Sequence, residues 1–193
     1  MRRIALGSFA VLAGLTLVFF AGCNRENALR IVEINDGRPF VSDLVDYGVI
    51  TDPEGDPEEI EVIPDDFCTI KLQYVQIGLG LPTWTPYQAH IEQVQMSFDW
   101  ITGDMPDDVP PLVLPFKMVT KADPTGETVS EGVINILTAW YKQEYFDPGE
   151  TYILKVTVKL SGFDDASGEK IEASNVIQVS VSDYWDDPNS IGN

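Results

Sequence analysis

The chain has 193 residues, with 12 basic and 31 acidic residues and a formal net charge of −19. Because the chain is so acidic, it offers no basic patch to neutralise phosphates, and we expect no nucleic-acid partner. The length is sufficient for one domain with a substantial apolar core.

The first 22 residues have the composition of an export signal. Arg2 and Arg3 precede an uncharged apolar run at 4–20, and small residues follow it before Cys23. A basic start, an apolar stretch and a small-residue break are the parts of a secretory signal. The run is slightly shorter than the ~20 apolar residues that a membrane-spanning helix needs. The sequence therefore predicts a signal-peptide helix at 1–22 that is removed on export.

The residues that end at Cys23 resemble the lipobox of bacterial lipoproteins, in which a pair of small residues precedes a cysteine. The resemblance covers 1–23 and implies cleavage after Gly22, with a diacylglyceryl group on the Cys23 thiol. Phe20 stands where the family usually has Leu. Two or three acyl chains hold a protein stably on a bilayer. The resemblance thus implies a lipid-anchored protein of the cell envelope, and Asn24 implies the outer membrane, on either face, if the source has two membranes.

Cys68 is the second of the two cysteines. If Cys23 carries lipid, Cys68 has no disulfide partner within the chain. It alternates with Ile70, Leu72 and Tyr74, which is the pattern of the buried face of a strand. We therefore expect Cys68 to be a small apolar core residue rather than a nucleophile.

After a lipidated tether at 23–28, residues 29–183 have the pattern of a single all-β domain. Runs of alternating apolar residues are separated by clusters of Pro, Gly, Asp and Asn, as in strands joined by turns. The predicted strands, in chain order, are 29–34, 44–50, 58–63, 67–77, 91–100, 112–120, 129–142, 151–160 and 171–182. Residues 184–193 are predicted to form an acidic tail.

A turn at 146–151 is followed by Tyr152, which begins a strand with apolar residues at alternate positions. This arrangement resembles the tyrosine corner of immunoglobulin and fibronectin type III sandwiches, where the Tyr hydroxyl bonds back to nearby backbone. Leu154 stands where immunoglobulin domains have a bridging Cys, so the resemblance is to disulfide-free versions. It covers about 65–183 and implies an immunoglobulin-like, two-sheet antiparallel sandwich of about 7–9 strands. Because it is a resemblance of fold alone, it implies no activity.

Alternation along the strands also predicts the core. The side chains expected on its inward face are Ile70, Leu72, Val94, Met96, Phe98, Trp100, Val156 and Val179. Trp100 is the candidate for the buried tryptophan that such sandwiches often contain.

The sequence has no recognisable catalytic set. The one histidine is His90, and no Gly-x-Ser-x-Gly elbow, phosphate loop or dinucleotide motif occurs. One His and one buried Cys cannot form an ordinary zinc site. We therefore predict a non-enzymatic binding or structural domain. An envelope glycoside hydrolase that uses two carboxylates is an open alternative, because the chain has 31 acidic residues.

Acidic loops make calcium the one cofactor that the sequence suggests. The candidate ligands are Asp107 and Asp108 in one loop and Asp164 and Asp165 in another. Calcium binds several carboxylate and carbonyl oxygens, although neither loop has the spacing of a helix–loop–helix calcium site. The alternative is that these are solvated turns whose charges protect the sheet edges.

Aromatic residues mark a long loop between two predicted strands. Trp84, Tyr87 and His90 are the candidate ligand residues, because exposed aromatic rings stack on sugars or contact protein partners. The alternative is that Trp84 covers the core, since tryptophan is highly buried on average. The predicted partner is an unidentified envelope protein or glycan. A carbohydrate-binding surface module, with or without calcium, is the second functional hypothesis.

Replacing Cys23 with Ser should abolish both acylation and cleavage after Gly22, because the acceptor thiol is lost. Mass spectrometry of the detergent-extracted wild-type protein should give a chain that begins at acylated Cys23. The matched control is Cys68→Ser, which should be processed normally. A wild-type chain that keeps Met1, or whose Cys23 carries no lipid, would overturn the anchor.

Overall fold

The computed structural model of the chain describes residues 28–51, 57–75, 88–103 and 109–183. These residues form ten strands and one short α-helix, so the predicted all-β class is confirmed. None of the helices in these ranges is long and apolar enough to cross a membrane. The predicted signal peptide at 1–22, most of the tether and the tail at 184–193 lie outside the described residues.

Ten strands, one α-helix and one 3-10 turn follow one another along the described chain. The first five strands are β1 (Ala28–Ile34), β2 (Phe40–Asp43), β3 (Asp46–Thr51), β4 (Pro57–Val62) and β5 (Asp66–Val75). The others are β6 (Gln88–Thr102), β7 (Leu112–Asp123), β8 (Ser130–Leu137), β9 (Tyr152–Asp164) and β10 (Lys170–Ser182). Helix α1 (Ala139–Tyr145) lies between β8 and β9, and a 3-10 turn (Asn35–Gly37) lies between β1 and β2.

Eight of the strands form one curled, open sheet. Its order is β1-β5-β7-β6-β9-β10-β2, with β8 paired to β5 away from this path, while β3 and β4 form a separate hairpin. Neighbours are antiparallel, except that β2 runs parallel to β10 and β7 makes a short parallel contact with β5. The curl brings β1 against β10, where the Asn175 amide donates a hydrogen bond of 3.1 Å to the Ile31 carbonyl.

The strand register defines two ends of the domain. At the tether end, β1 begins at Ala28 opposite Val75, and β6 begins at Gln88 opposite Lys121. The turns that follow β7 and β9 also lie at the tether end, since both strands finish there. At the helix end, β5 begins, β8 leads into α1, and β2 and β10 finish side by side. The β3–β4 hairpin joins the sheet at this helix end as well, because it connects β2 to β5.

The apolar core lies inside the curl and follows the predicted alternation. Of the predicted core residues, all but Trp100 are buried, and Trp100 packs against the core while partly exposed. Cys68 is buried as expected, and burial raises its pKa to about 12, so the thiol is protonated at neutral pH. A Cβ added at Gly132 of β8 would lie 3.0 Å from the Met118 sulfur of β7. Strands β7 and β8 are therefore in close contact at the core.

Tyr152 anchors the connection from α1 to β9. Its hydroxyl accepts a hydrogen bond of 3.0 Å from the backbone N–H of Asp147, so the predicted bond back to nearby backbone is present. Its ring packs edge-on against Phe146, with ring centroids 5.1 Å apart. The buried ring and its hydroxyl together fix the direction in which the chain enters β9.

The single predicted strand at 129–142 is wrong beyond Leu137, where β8 ends and α1 follows. Thr138 caps the helix by accepting a hydrogen bond of 3.2 Å from the Tyr141 N–H, and Asp65 accepts one of 2.6 Å from the Ala139 N–H. A helix of 7 residues is too short to show a clear 3.6-residue period. It depends on these caps and on tertiary packing. The four-residue strand β2 was likewise not predicted, since its pairing to β10 is long-range.

Replacing Tyr152 with Phe should lower the free energy of unfolding by about 1–2 kcal/mol, because the Asp147 N–H loses its acceptor. Urea titration followed by circular dichroism would measure the change. The matched control is Tyr145→Phe, since the Tyr145 hydroxyl forms no hydrogen bond within the described ranges. An equal loss in both variants would contradict a specific role for the Tyr152 hydroxyl.

Candidate functional site

The structure places only part of the predicted site residues. Trp84 and Tyr87 of the predicted ligand loop, and Asp107 and Asp108 of the first calcium loop, lie outside the described residues. Their roles stay predictions. His90 lies near the start of β6, while Asp164 ends β9 and Asp165 begins the turn that follows, so all three are at the tether end.

His90 is packed against the neighbouring strand. Its ring stacks on Phe163 of β9 with centroids 5.1 Å apart and planes 5° from parallel. Its Nε2 lies 3.8 Å from Asp165 Oδ1, and the side chain is 34% exposed. A Cβ on Gly162 would come within 1.9 Å of the His90 carbonyl oxygen, so the close approach of these strands requires glycine. Phe163 covers one face of the ring and the Nε2 atom is buried, so only the remaining, partly exposed portion of the His90 ring can meet a ligand.

A β-bulge lies beside His90. The β6 register shifts between Ile91 and Gln93, which leaves Glu92 as the extra residue against β9, whereas against β7 the extra residue lies on β7. A recess of about 330 Å³ adjoins it and is lined by His90, Glu92, Lys117 and Met118, among others. This recess is lined by one acidic, one basic and one imidazole side chain together with apolar residues.

The Asp164 carboxylate is fully engaged by the protein. Asp164 is 1% exposed, and its Oδ1 accepts hydrogen bonds from the Ala166 N–H, the Ser167 N–H and the Ser167 hydroxyl. Its Oδ2 accepts a short hydrogen bond from the buried Tyr74 hydroxyl of β5. Burial by itself raises the pKa of Asp164, but these hydrogen bonds outweigh it and hold that pKa below the ordinary 3.8. Asp164 therefore ties the turn to the core.

Metal-binding groups are not gathered in the parts of the chain that the structure describes. No three His, Cys, Asp or Glu side chains in those ranges lie close enough together to hold a metal ion. Asp165 is exposed beside His90, but the Asp164 carboxylate accepts hydrogen bonds within its own turn. The calcium hypothesis for Asp107 and Asp108 stays a prediction, because these residues lie outside the described ranges.

The helix end carries a feature that sequence reasoning missed. Trp140 of α1 is 60% exposed, although tryptophan is highly buried on average. Its ring meets Tyr141 and Tyr145 edge-on, with both centroid distances 6.3 Å. Next to it, a recess of about 530 Å³ is lined by residues that include Glu144, Tyr145, Asp147 and Glu150. We call Trp140, Glu144, Tyr145, Asp147 and Glu150 the helix-end surface.

A buried ion pair holds α1 in place beneath this surface. Lys142 Nζ lies 2.9 Å from Asp66 Oδ1 and donates a hydrogen bond of 2.6 Å to the Asp43 carbonyl. The Lys142 side chain is 0% exposed, and that of Asp66 is 9% exposed. Burial raises the pKa of Asp66 above its ordinary value, although the neighbouring Ser42 and Lys142 lower it. The pair connects α1 to the start of β5 and the end of β2, so it fixes which face of α1 is exposed.

The start of α1 is hidden in the sequence because nothing marks the end of β8. Trp140, Tyr141 and Lys142 follow the apolar run of β8 without a Pro or Gly, so the pattern assigns them to the strand. The burial of a lysine side chain, which is rare unless the charge is paired, cannot be predicted without its partner Asp66.

Replacing Asp164 with Asn should make stability less dependent on acid pH. A carboxyl whose folded pKa lies below its unfolded value stabilises the fold above the unfolded pKa, and that stabilisation is lost as pH falls through the folded pKa. We therefore expect wild-type stability to fall below pH 3.8, and to fall less steeply in the variant. Urea unfolding at a series of pH values would measure both slopes. Asp165→Asn is the exposed control, and an unchanged slope in Asp164→Asn would contradict this role.

Comparison with known proteins adds no relative of this chain, because no family profile, no curated protein and no solved structure matches it.

Proposed function

We propose that this protein is a lipid-anchored envelope domain of immunoglobulin-like architecture that works by binding a protein partner through its helix-end surface. The observation that carries the proposal is the position of that surface. It lies at the end of the domain opposite to the point where the tether enters β1. The acylated Cys23 remains an inference from the lipobox resemblance.

The sheet arrangement supports the immunoglobulin-like part of the proposal. In that architecture, strands A, B and E form one layer and strands C, F and G form the other. Here β5 pairs with both β1 and β8, and β9 pairs with both β6 and β10. The hydrogen bond between Asp147 and Tyr152 supplies the tyrosine corner at the matching position, the start of the sixth strand of that scheme.

The tether length determines which end faces the membrane. The five peptide steps from Cys23 to Ala28 span at most roughly 18 Å when fully extended. The tether end therefore stays close to the bilayer. Strand β9, with 13 residues, runs from the helix end to the tether end and is roughly 40 Å long. The helix-end surface is thus held well away from the lipid head groups, where an envelope partner can reach it.

The composition of the helix-end surface favours a protein partner. Tryptophan and tyrosine are enriched among the residues that dominate protein interfaces, and Trp140 is 60% exposed here. Glu144, Asp147 and Glu150 surround the neighbouring recess with negative charge. Such a surface attracts a partner with a complementary basic patch and accelerates the encounter. We therefore expect a basic protein surface to contact Trp140.

Carbohydrate binding is the second candidate, and it uses the opposite end of the domain. His90 exposes one face of its ring beside a recess of about 330 Å³ that also presents Glu92 and Lys117. This end faces the membrane, so an attached glycan would have to fit between the domain and the bilayer. We therefore place this candidate behind protein binding.

Site-specific photocrosslinking in the native envelope would test the proposal. A photoreactive residue at Gln143, which is exposed on α1, should form a discrete adduct with a protein, whereas the same residue at Thr125 of the tether end should not. Combining the Gln143 probe with Trp140→Ala should reduce the adduct several-fold, because hot-spot truncations typically cost about 2 kcal/mol or more. An adduct at Thr125 alone, or an adduct at Gln143 unaffected by Trp140→Ala, would contradict the proposal.

A further inference from the structure

The buried cluster beneath α1 has a chemistry that binding at the helix-end surface does not require. Lys142 Nζ and Asp66 Oδ1 are 2.9 Å apart in a setting where the lysine side chain is 0% exposed. A buried ion pair often contributes little net stability, because removing both charges from water offsets their attraction. Stability alone therefore does not account for the pairing of these two groups.

Two polar atoms of the cluster lack partners. Asp66 Oδ2 and the Ser42 hydroxyl oxygen are both buried, and neither forms a hydrogen bond of ordinary geometry within the described ranges. Ser42 is 0% exposed and adjoins the Asp66 carboxyl closely enough to lower its pKa. Buried polar atoms nearly always have partners, and exceptions occur at reactive sites. Thus Lys142 contacts one carboxyl oxygen of Asp66, Oδ1, and Ser42 adjoins the same carboxyl.

We propose that Lys142 and Asp66 condense to form an intramolecular amide that cross-links α1 to the start of β5. The Lys142 nitrogen attacks Asp66 Cγ and forms the new N–C bond, and the bond from Cγ to Oδ2 breaks. Two protons of the ammonium group leave with Oδ2 as water. The ion pair and the amide plus water contain the same atoms and the same net charge, so the step needs no oxidant, reductant or cofactor.

The local environment favours this condensation. The contact with Oδ1 holds the amine close to the adjoining Cγ, so the reaction needs no collision between separate molecules. Low polarity favours the protonated carboxylic acid, which loses water more readily than the carboxylate does. In accord with this, burial raises the pKa of Asp66. The Ser42 hydroxyl lies beside the carboxyl, where it can carry a proton from the nitrogen to Oδ2.

The cross-link would join residues that are far apart in the sequence. It would close the chain between 66 and 142, which contains β5, β6, β7 and β8. Cys68, the cysteine within the described ranges, is free, so no disulfide there performs this task. An amide at this position restricts the unfolded chain as a disulfide does, and is insensitive to reductants.

Peptide mapping of the purified full-length protein would test the proposal directly. After denaturation and tryptic digestion, mass spectrometry should find one branched species that contains both Asp66 and Lys142. Its mass should equal the sum of the two peptides less one water molecule, with no cleavage at Lys142. Recovery of the two peptides as separate, unmodified species would overturn the proposal.

Three variants sharpen the test. Lys142→Arg should abolish the branched species, and persistence of the water loss in this variant would overturn the assignment. Asp66→Asn should give the same branched species by loss of ammonia, because the leaving group changes while the product does not. Ser42→Ala should slow formation several-fold after synthesis, and an unchanged rate would remove Ser42 from the step. The wild-type map needs no variant, so it decides the outcome even if Lys142→Arg fails to fold.

Discussion

The burial of one face of every long strand is the constraint on which the rest of the structure depends. Alternate residues of β5 and β9 point into the core, and a single flat sheet would leave that apolar face exposed to water. Curling brings β1 against β10 and encloses the core. Because the side-chain period is two, this burial also fixes the register, since a slip of one residue would expose the apolar set.

Buried polar contacts lie at the two ends of the apolar core. At the tether end, Tyr74 and Asp164 join β5 to the turn after β9. At the helix end, Lys142 and Asp66 join α1 to the start of β5. Both contacts are buried. A buried charge without its partner destabilises the fold strongly, whereas the intact pair contributes little net stability. They therefore specify where the turn and the helix lie, in addition to any contribution to stability.

The strand register gives the domain two distinct ends. Under the proposed anchor, the short tether before β1 would hold one end near the membrane, and other molecules would approach the opposite end. That end holds a short helix with an exposed tryptophan beside three carboxylates. The helix lies between β8, which pairs with β5, and β9, which pairs with β6 and β10. A connection of this kind can vary without disturbing the core and is a common location for binding residues.

The sequence alone determined the all-β class, most strand positions and the inward residues, because alternation and turn residues are local signals. It also predicted the hydrogen bond of the Tyr152 hydroxyl, because the two parts of the tyrosine-corner motif, a turn and the strand after it, are adjacent in the chain. Only the tertiary structure showed that Asp164 is buried and bonded to Tyr74, and that the run after Leu137 is a helix. It alone paired Lys142 with Asp66 and exposed Trp140 at the far end from the tether. Each of these depends on a partner distant in the chain, and contacts of that kind leave no periodic signal in the residues that make them.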